Sequence, residues 1–261
     1  MSIKQRIKLR IPILTYHSID KSGSVISIDP ASFKDQMSSL NKSSVNVISL
    51  NEAVKSIREG QPLEKESVVI TFDDGFKNVF SEAFPVLQEY GFSATFFLTT
   101  NYCEKLNNWP SQPDSIKAQP LLSWVDIKEM RRSGMQFGAH THNHPSLTKI
   151  PIKDAGNEIL LSKKIIEDKL QEEINSFAYP YGGFNTNIVN IVNQHFTGAC
   201  STKLAIANSK SNPFILERVD VYYIKYGMLF KRLLTPYVSC YLKCRMLLRD
   251  LRKGCLEKGL H

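Results

Sequence analysis

An apolar run, Val68-Val69-Ile70-Thr71-Phe72, stops at two adjacent carboxylates and a glycine, Asp73-Asp74-Gly75. Adjacent strand residues face opposite ways, so both carboxylates reach one site only if the chain bends, which Gly75 allows. Taken alone, Asp-Asp-Gly reads more simply as an N-cap before a helix starting near Phe76. A second cluster, His140-Thr141-His142-Asn143-His144-Pro145, changes that reading. Imidazoles four residues apart reach one metal from a helical turn or a tight loop. With a carboxylate they form a donor set for a catalytic zinc that keeps one position open for water. A metal held by such a set would bring the pKa of that water towards neutral.

Bringing these groups together requires strands that end at one place. Residues 68–72, 94–98, 135–139, 176–179 and 215–221 read as buried strands, with a shorter one at 45–48. A further short apolar run, 11–16, ends in His17. Between them, helices are expected over about 30–41, 51–60, 76–90, 123–133, 152–171 and 185–194, several closed by glycines such as Gly60, Gly91 and Gly134. Strands alternating with helices predict an α/β domain with a parallel sheet or barrel, whose ligands lie at the carboxyl ends of the strands. The 261 residues suit one domain of barrel size. Residues 101–120, rich in Asn, Gln, Ser and Pro, read as a long loop over the barrel mouth.

Thr71-Phe72-Asp73-Asp74-Gly75, His140-Thr141-x-x-His144 and Phe177-Ala178-Tyr179-Pro180-Tyr181-Gly182 occur in the order seen in the polysaccharide deacetylases, carbohydrate esterase family four. The chain resembles that family from about residue 11 to about residue 222. The resemblance implies a distorted (β/α) barrel of about seven strands, of deacetylase type. It also implies a divalent metal, usually Zn2+, and hydrolysis of N-acetyl, sometimes O-acetyl, groups on glycans. Asp74, His140 and His144 match the family's ligands, Asp73 its base, and Tyr181 the residue whose backbone N–H stabilises the oxyanion. Thr141 fits the position that steadies the histidine loop. Pro180 would pre-set the turn that aims the Tyr181 N–H, and Gly182 would admit the sugar closely. In the mouth loop, Trp109 either stacks on a sugar ring or packs beneath the loop.

Two positions depart from the usual family pattern. The general acid is commonly a histidine in a Leu-x-His motif near the C-terminus, whereas here only His261 follows Tyr223, without that motif. Some branches look circularly permuted, with a Tyr-His strand at the N-terminus. Tyr16-His17 resembles that arrangement, so His17 is the expected acid and Tyr16 an expected substrate neighbour. Many members carry an Arg where this chain has Ala178. Arg218 resembles an Arg-x-x-Val position of the permuted branch and could supply the missing cation; a salt bridge at the barrel bottom is the other reading.

A net charge of +8 and a pI near 9.1 suggest an anionic partner or surface. Nothing resembles a nucleic-acid motif: no finger spacing and no basic run interleaved with aromatics. Five scattered cysteines do not make a disulfide framework, and Cys240 and Cys244 are expected to pack in the core from one helix face. No run approaches the roughly 20 apolar residues of a membrane span, and none resembles a secretory signal. The expected location is cytoplasmic, with peripheral contact at the inner membrane face. Residues 1–227 are expected to form the barrel domain and 228–261 a basic amphipathic helical segment. That segment either closes the barrel or rests on an anionic membrane. The expected function is metal-dependent removal of N-acetyl groups from an amino-sugar polysaccharide, oligosaccharide or lipid-linked precursor. The alternatives are a non-catalytic glycan-binding module on the same fold, or a metal hydrolase of a non-sugar amide.

Overall fold

A computed structural model describes residues 9–43, 45–225 and 227–258, with side chains through Leu248. Residues 1–8, His261 and the side chains of Arg249 and Arg252 lie outside the described residues. Seven parallel strands make the frame: β1 (Ile13–Tyr16), β2 (Ser67–Phe72), β3 (Thr95–Leu98), β4 (Gln136–Ala139), β5 (Ser176–Ala178), β6 (Gly198–Leu204) and β7 (Leu216–Asp220). They pair in the order β1-β7-β6-β5-β4-β3-β2, and β2 pairs again with β1, which closes the barrel. The expected (β/α) barrel of about seven strands is therefore the observed fold.

Helices α1 (Pro30–Lys42), α2 (Leu50–Glu59), α3 (Phe84–Tyr90), α4 (Trp124–Arg132), α5 (Ile152–Leu170) and α6 (Thr186–His195) connect the strands. Their ends are set locally. Asp29 caps α1 by accepting from the Ala31 and Ser32 N–H groups, while Ser49 with Glu52 and Ser123 with Asp126 form reciprocal capping boxes. The expected single helix over 76–90 is instead a turn, a π-helical turn (Val79–Ala83) and then α3. Pro85 explains the break, because it has no N–H to continue an α ladder and its ring crowds the preceding turn.

Residues along each strand alternate between two cores. Ile13, Val69, Phe97, Ala178, Cys200 and Leu216 fill the barrel interior together with Leu50, Val54 and Ile57 of α2, which plugs its amino end. Phe97 occupies space opened by Gly138, where a Cβ would lie 2.6 Å from the ring. Leu14, Tyr16, Ile70, Phe72, Phe96 and Val219 face the other way, under the surrounding helices. Tyr16 is thus a core residue and not a substrate neighbour. It is 1% exposed, its ring packs on Phe33 and Phe72, and its hydroxyl donates to Gln36 at 2.9 Å.

Beyond the barrel, α7 (Gly227–Lys231) and α8 (Pro236–Lys258) follow. Phe230, Leu233, Val238 and Leu242 join the main core, whereas Cys240 and Cys244, expected in it, are exposed. They do share a helix face, but it is the face turned away from the barrel.

Candidate active site

All the site residues gather at the carboxyl ends of the strands. β2 ends at Phe72, and Asp73 continues the inward register of Val69 and Thr71. Asp74 (φ 69°) and Gly75 (φ 77°) then turn left-handed, so the bend that swings the second carboxylate round begins at Asp74 itself. Among the described residues, four of the six non-glycine residues with positive φ, Asp74, Thr141, His144 and Tyr181, belong to this site. Such backbone strain collects where function demands a geometry.

The donor atoms of Asp74, His140 and His144 converge, and all three residues are buried. Asp74 Oδ1 lies 3.3 Å from His140 Nε2 and 3.2 Å from His144 Nε2, and the two Nε2 atoms are 3.2 Å apart. A tetrahedral zinc with bonds of about 2.0–2.1 Å spaces its ligand atoms about 3.3–3.4 Å apart, so the three edges fit. The outer nitrogens fix the tautomers. His140 Nδ1 donates to the Ala178 carbonyl at 2.7 Å. Tyr181 Oη accepts from Trp109 Nε1 (3.1 Å) and donates to the Ser111 carbonyl (2.9 Å), so it is left to accept from His144 Nδ1 at 3.1 Å. Both Nε2 lone pairs therefore face a carboxylate oxygen, and three acceptors in contact call for a cation between them. Without one, a proton must substitute. Burial pushes both imidazoles down, but contact with Asp74 more than reverses this for His140, while His144 stays lowered beside it.

The loop joining the two histidines is itself held. Thr141 Oγ1 accepts from the His144 N–H at 3.0 Å, as its motif position implied. Glu158, on α5, accepts from the backbone N–H groups of His142 (3.0 Å) and Asn143 (2.7 Å) and from Asn143 Nδ2 (2.6 Å). His142 turns away, its Nδ1 2.9 Å from Thr100 Oγ1. Nothing in the sequence pointed to Glu158, which lies 14 residues beyond His144 and in another element.

Beside the ligands, Asp73 is 3% exposed and gripped from inside the barrel by Arg218. Nη1 and Nη2 of Arg218 lie 2.7 and 2.6 Å from the two carboxylate oxygens, and its Nε donates to the Ser201 carbonyl at 2.9 Å. Burial alone would raise the Asp73 carboxyl, but the guanidinium more than offsets it and holds Asp73 below the usual carboxylate range. Arg218 is thus a partner of the expected base and not a salt bridge at the barrel bottom. His17 follows β1 directly, one quarter exposed, with Nε2 4.0 Å from Asp73 Oδ2. The adjacency of β1 and β2 brings it there.

A cavity of about 230 Å3 opens over these groups, between Val25 and Ile26 on one side and Pro113 and Ile116 on the other. Trp109 lies beneath the mouth loop, 2% exposed, its ring 4.2 Å from that of His144. It has no free face for a sugar to stack on. Tyr181 does more than its backbone role implied, since its hydroxyl joins His144, Trp109 and Ser111. Pro180 opens the turn that sets Tyr181, as expected. At Gly182 (φ 70°) an added Cβ would lie 2.0 Å from Thr202 Oγ1, so the missing side chain makes room for Thr202 and not directly for substrate.

Known proteins resemble this chain in sequence and in fold. The polysaccharide deacetylase family pattern matches residues 60–197, just over half of the chain. The protein YxkH of Bacillus subtilis is 26% identical over 220 residues, 84% of this chain and 74% of its own length. The poly-beta-1,6-N-acetyl-D-glucosamine N-deacetylase of Staphylococcus epidermidis is 29% identical over 192 residues, 69% of this chain and 63% of that protein, so the match spans under two thirds of that relative. In fold, the Streptococcus pyogenes deacetylase PplD superposes with a TM-score of 0.72 at 24% identity, covering 82% of this chain and 93% of PplD. With the family pattern running from before Asp73 to beyond Tyr181, the chain belongs to the polysaccharide deacetylase family.

Proposed function

We propose that this chain is a metal-dependent hydrolase that removes N-acetyl groups from an amino-sugar glycan, whether polysaccharide, oligosaccharide or lipid-linked precursor. One observation carries the reading: three buried acceptors that need a cation lie beside a carboxylate kept ionised by Arg218. Two imidazole nitrogens and one carboxylate oxygen suit Zn2+. When bound there, the ion would supply Lewis acidity, lowering the pKa of water so that it gives up a proton readily to a base, and polarising the amide carbonyl.

The chain's own residues supply the rest. Asp73 takes a proton from the attacking water, and its position is fixed because Arg218 holds both carboxylate oxygens. As the carbonyl carbon becomes tetrahedral, charge grows on its oxygen, and the Tyr181 N–H, at the start of its turn, donates to it. His17, its Nε2 4.0 Å from Asp73 Oδ2, gives a proton to the departing nitrogen, since an amide anion is a very poor leaving group. The products are acetate and a free amino sugar. The apolar cavity walls would exclude water from around the acetyl group.

Acetate release from a panel of N-acetylated sugars and oligomers, with zinc-loaded protein, tests this reading. Release should fall by roughly 10²–10⁴-fold in Asp73→Asn while zinc stays bound. Absence of both bound metal and release would reject the hydrolase. Bound metal with no release from any N-acetylated sugar, but release from a non-sugar acetamide, would reject the substrate class.

A further inference from the structure

The chain's charge is not spread evenly. Residues 227–258 hold eight Lys or Arg against two acidic residues, so most of the net +8 resides in this short stretch. α8 is also apolar on two opposite sides. Inward, Val238 and Leu242 are buried. Arg10 grips the start of the helix by donating to Ser239 Oγ (2.7 Å) and to the Leu234 carbonyl just before it (3.1 Å). One turn on, Tyr241 donates to the Tyr223 carbonyl at 2.9 Å, and the Arg245 guanidinium lies 4.8 Å from the Tyr223 ring. Outward, Tyr237, Cys240, Cys244 and Leu247 recur at helical spacing, with Leu248 alongside. Tyr237 is 54% exposed, Leu247 61% and Leu248 51%. Exposed Arg232, its guanidinium 5.6 Å from the Tyr237 ring, and exposed Lys243 border this stripe.

Exposed among the described residues and edged by cations, this apolar stripe asks for a partner. A second copy of the chain would bring one basic helix against another, and such a self-contact sets like charge on like. An anionic bilayer suits both halves of the surface, with lipid phosphates facing the cations and the Tyr and Leu side chains entering the interface. No described helix is long and apolar enough to cross a membrane. We propose that α8 lies flat on an anionic lipid surface, its outward stripe in the headgroup region, and so docks the barrel on the membrane. The inference does not depend on the reaction performed in the barrel.

Co-sedimentation of the full chain with phosphatidylglycerol-containing and pure phosphatidylcholine vesicles decides the matter. Binding should favour the anionic vesicles and weaken as salt rises from about 0.05 to about 0.5 M. Lys243→Glu should weaken it at least fivefold, about the contribution of one basic residue at such a surface. Leu247→Ser with Leu248→Ser should also weaken it, with the thermal melt unchanged because both side chains are exposed. Equal binding to neutral vesicles, or binding indifferent to these variants, would overturn the proposal. So would a solution dimer that the Leu247→Ser, Leu248→Ser variant abolishes, since the stripe would then be a contact between copies.

Discussion

Replacing Arg218 by Met would leave the Asp73 carboxylate buried with no counter-charge. In the native chain the two side chains are 2% and 4% exposed and joined by two short hydrogen bonds, at 2.7 and 2.6 Å. Removing one partner of such a buried pair costs about 3–5 kcal/mol. For a chain of this length that is a fall in Tm of roughly 10 °C. Its pH dependence separates an electrostatic loss from simple loss of packing. Arg218 holds the Asp73 pKa below its unfolded value, so the ionised pair stabilises the fold above the unfolded carboxyl pKa of about 3.9, and this is lost as pH falls through the lower folded value. In Arg218→Met, burial loses its main opposition, with only the lesser pull of His140 and His17 left against it, and Asp73 rises from its native value, which removes stability above the unfolded pKa in a way that fades on acidification. The gap between native and variant is therefore widest at pH 7 and narrows towards pH 4. Adding Asp73→Asn should recover part of the loss at pH 7, because no charge is then left stranded. Urea midpoints for the native chain, the single variant and the double variant at pH 7, 5 and 4 give the measurement. A gap under about 1 kcal/mol at pH 7, or one that does not change with pH, would refute the coupling.

Other residues make separate predictions. Glu158→Ala should weaken zinc binding about 10–100-fold, because the loop between His140 and His144 loses three hydrogen bonds to that carboxylate; Glu158→Gln, which keeps one acceptor oxygen, should recover part of it. Competition with a chelating dye reads this directly, and an unchanged affinity in Glu158→Ala would discard the role. Gly182→Ala should destabilise the fold by about 1–3 kcal/mol, since the new Cβ meets Thr202 at 2.0 Å on a left-handed backbone; a melt matching the native one would contradict this. Zinc added to metal-free protein at about 100 times its Kd should stabilise the fold by about 2.7 kcal/mol, seen as a rise in Tm that Asp74→Asn reduces.

The chemistry was easier to read from the chain than the surroundings of each residue. Asp73, Asp74 and His140 stand out because each is a polar group at the end of an apolar run, where an unpartnered charge would be costly, while His144 is legible from its four-residue spacing to His140 and Arg218 from its place on the last strand candidate. The barrel strands are buried on both faces, so no alternation of polar and apolar residues shows which side chains point inward. Tyr16 was misplaced for that reason, since only the register of β1 against β2 turns it outward. β6 was missed because Gly198, Ala199, Cys200, Ser201 and Thr202 are small and carry little strand signal. An aromatic in a polar loop gives no exposure, and Trp109 proved to be buried against a metal-ligand candidate. Spacing on α8 showed that Cys240 and Cys244 share a face, but not which face meets the barrel.

The closing of the barrel by β1 between β7 and β2 has a consequence for the order in which the site comes into being. Asp74, His140 and His144 are all synthesised by residue 144, within strands that are neighbours or near neighbours in the sheet. Arg218 comes 145 residues after the carboxylate it grips, on a strand that must also accept the waiting amino-terminal strand along its edge. Contacts so distant in sequence form late, because a long loop must close before they are gained. A growing chain therefore carries Asp74, His140 and His144 before Ala178 and Tyr181, which orient the two imidazoles, and before Arg218, which holds Asp73. The buried Asp73 carboxylate gains its counter-charge only when the two ends of the barrel meet, so a chain ended before β7 would carry the three donor groups without the cation that keeps Asp73 ionised.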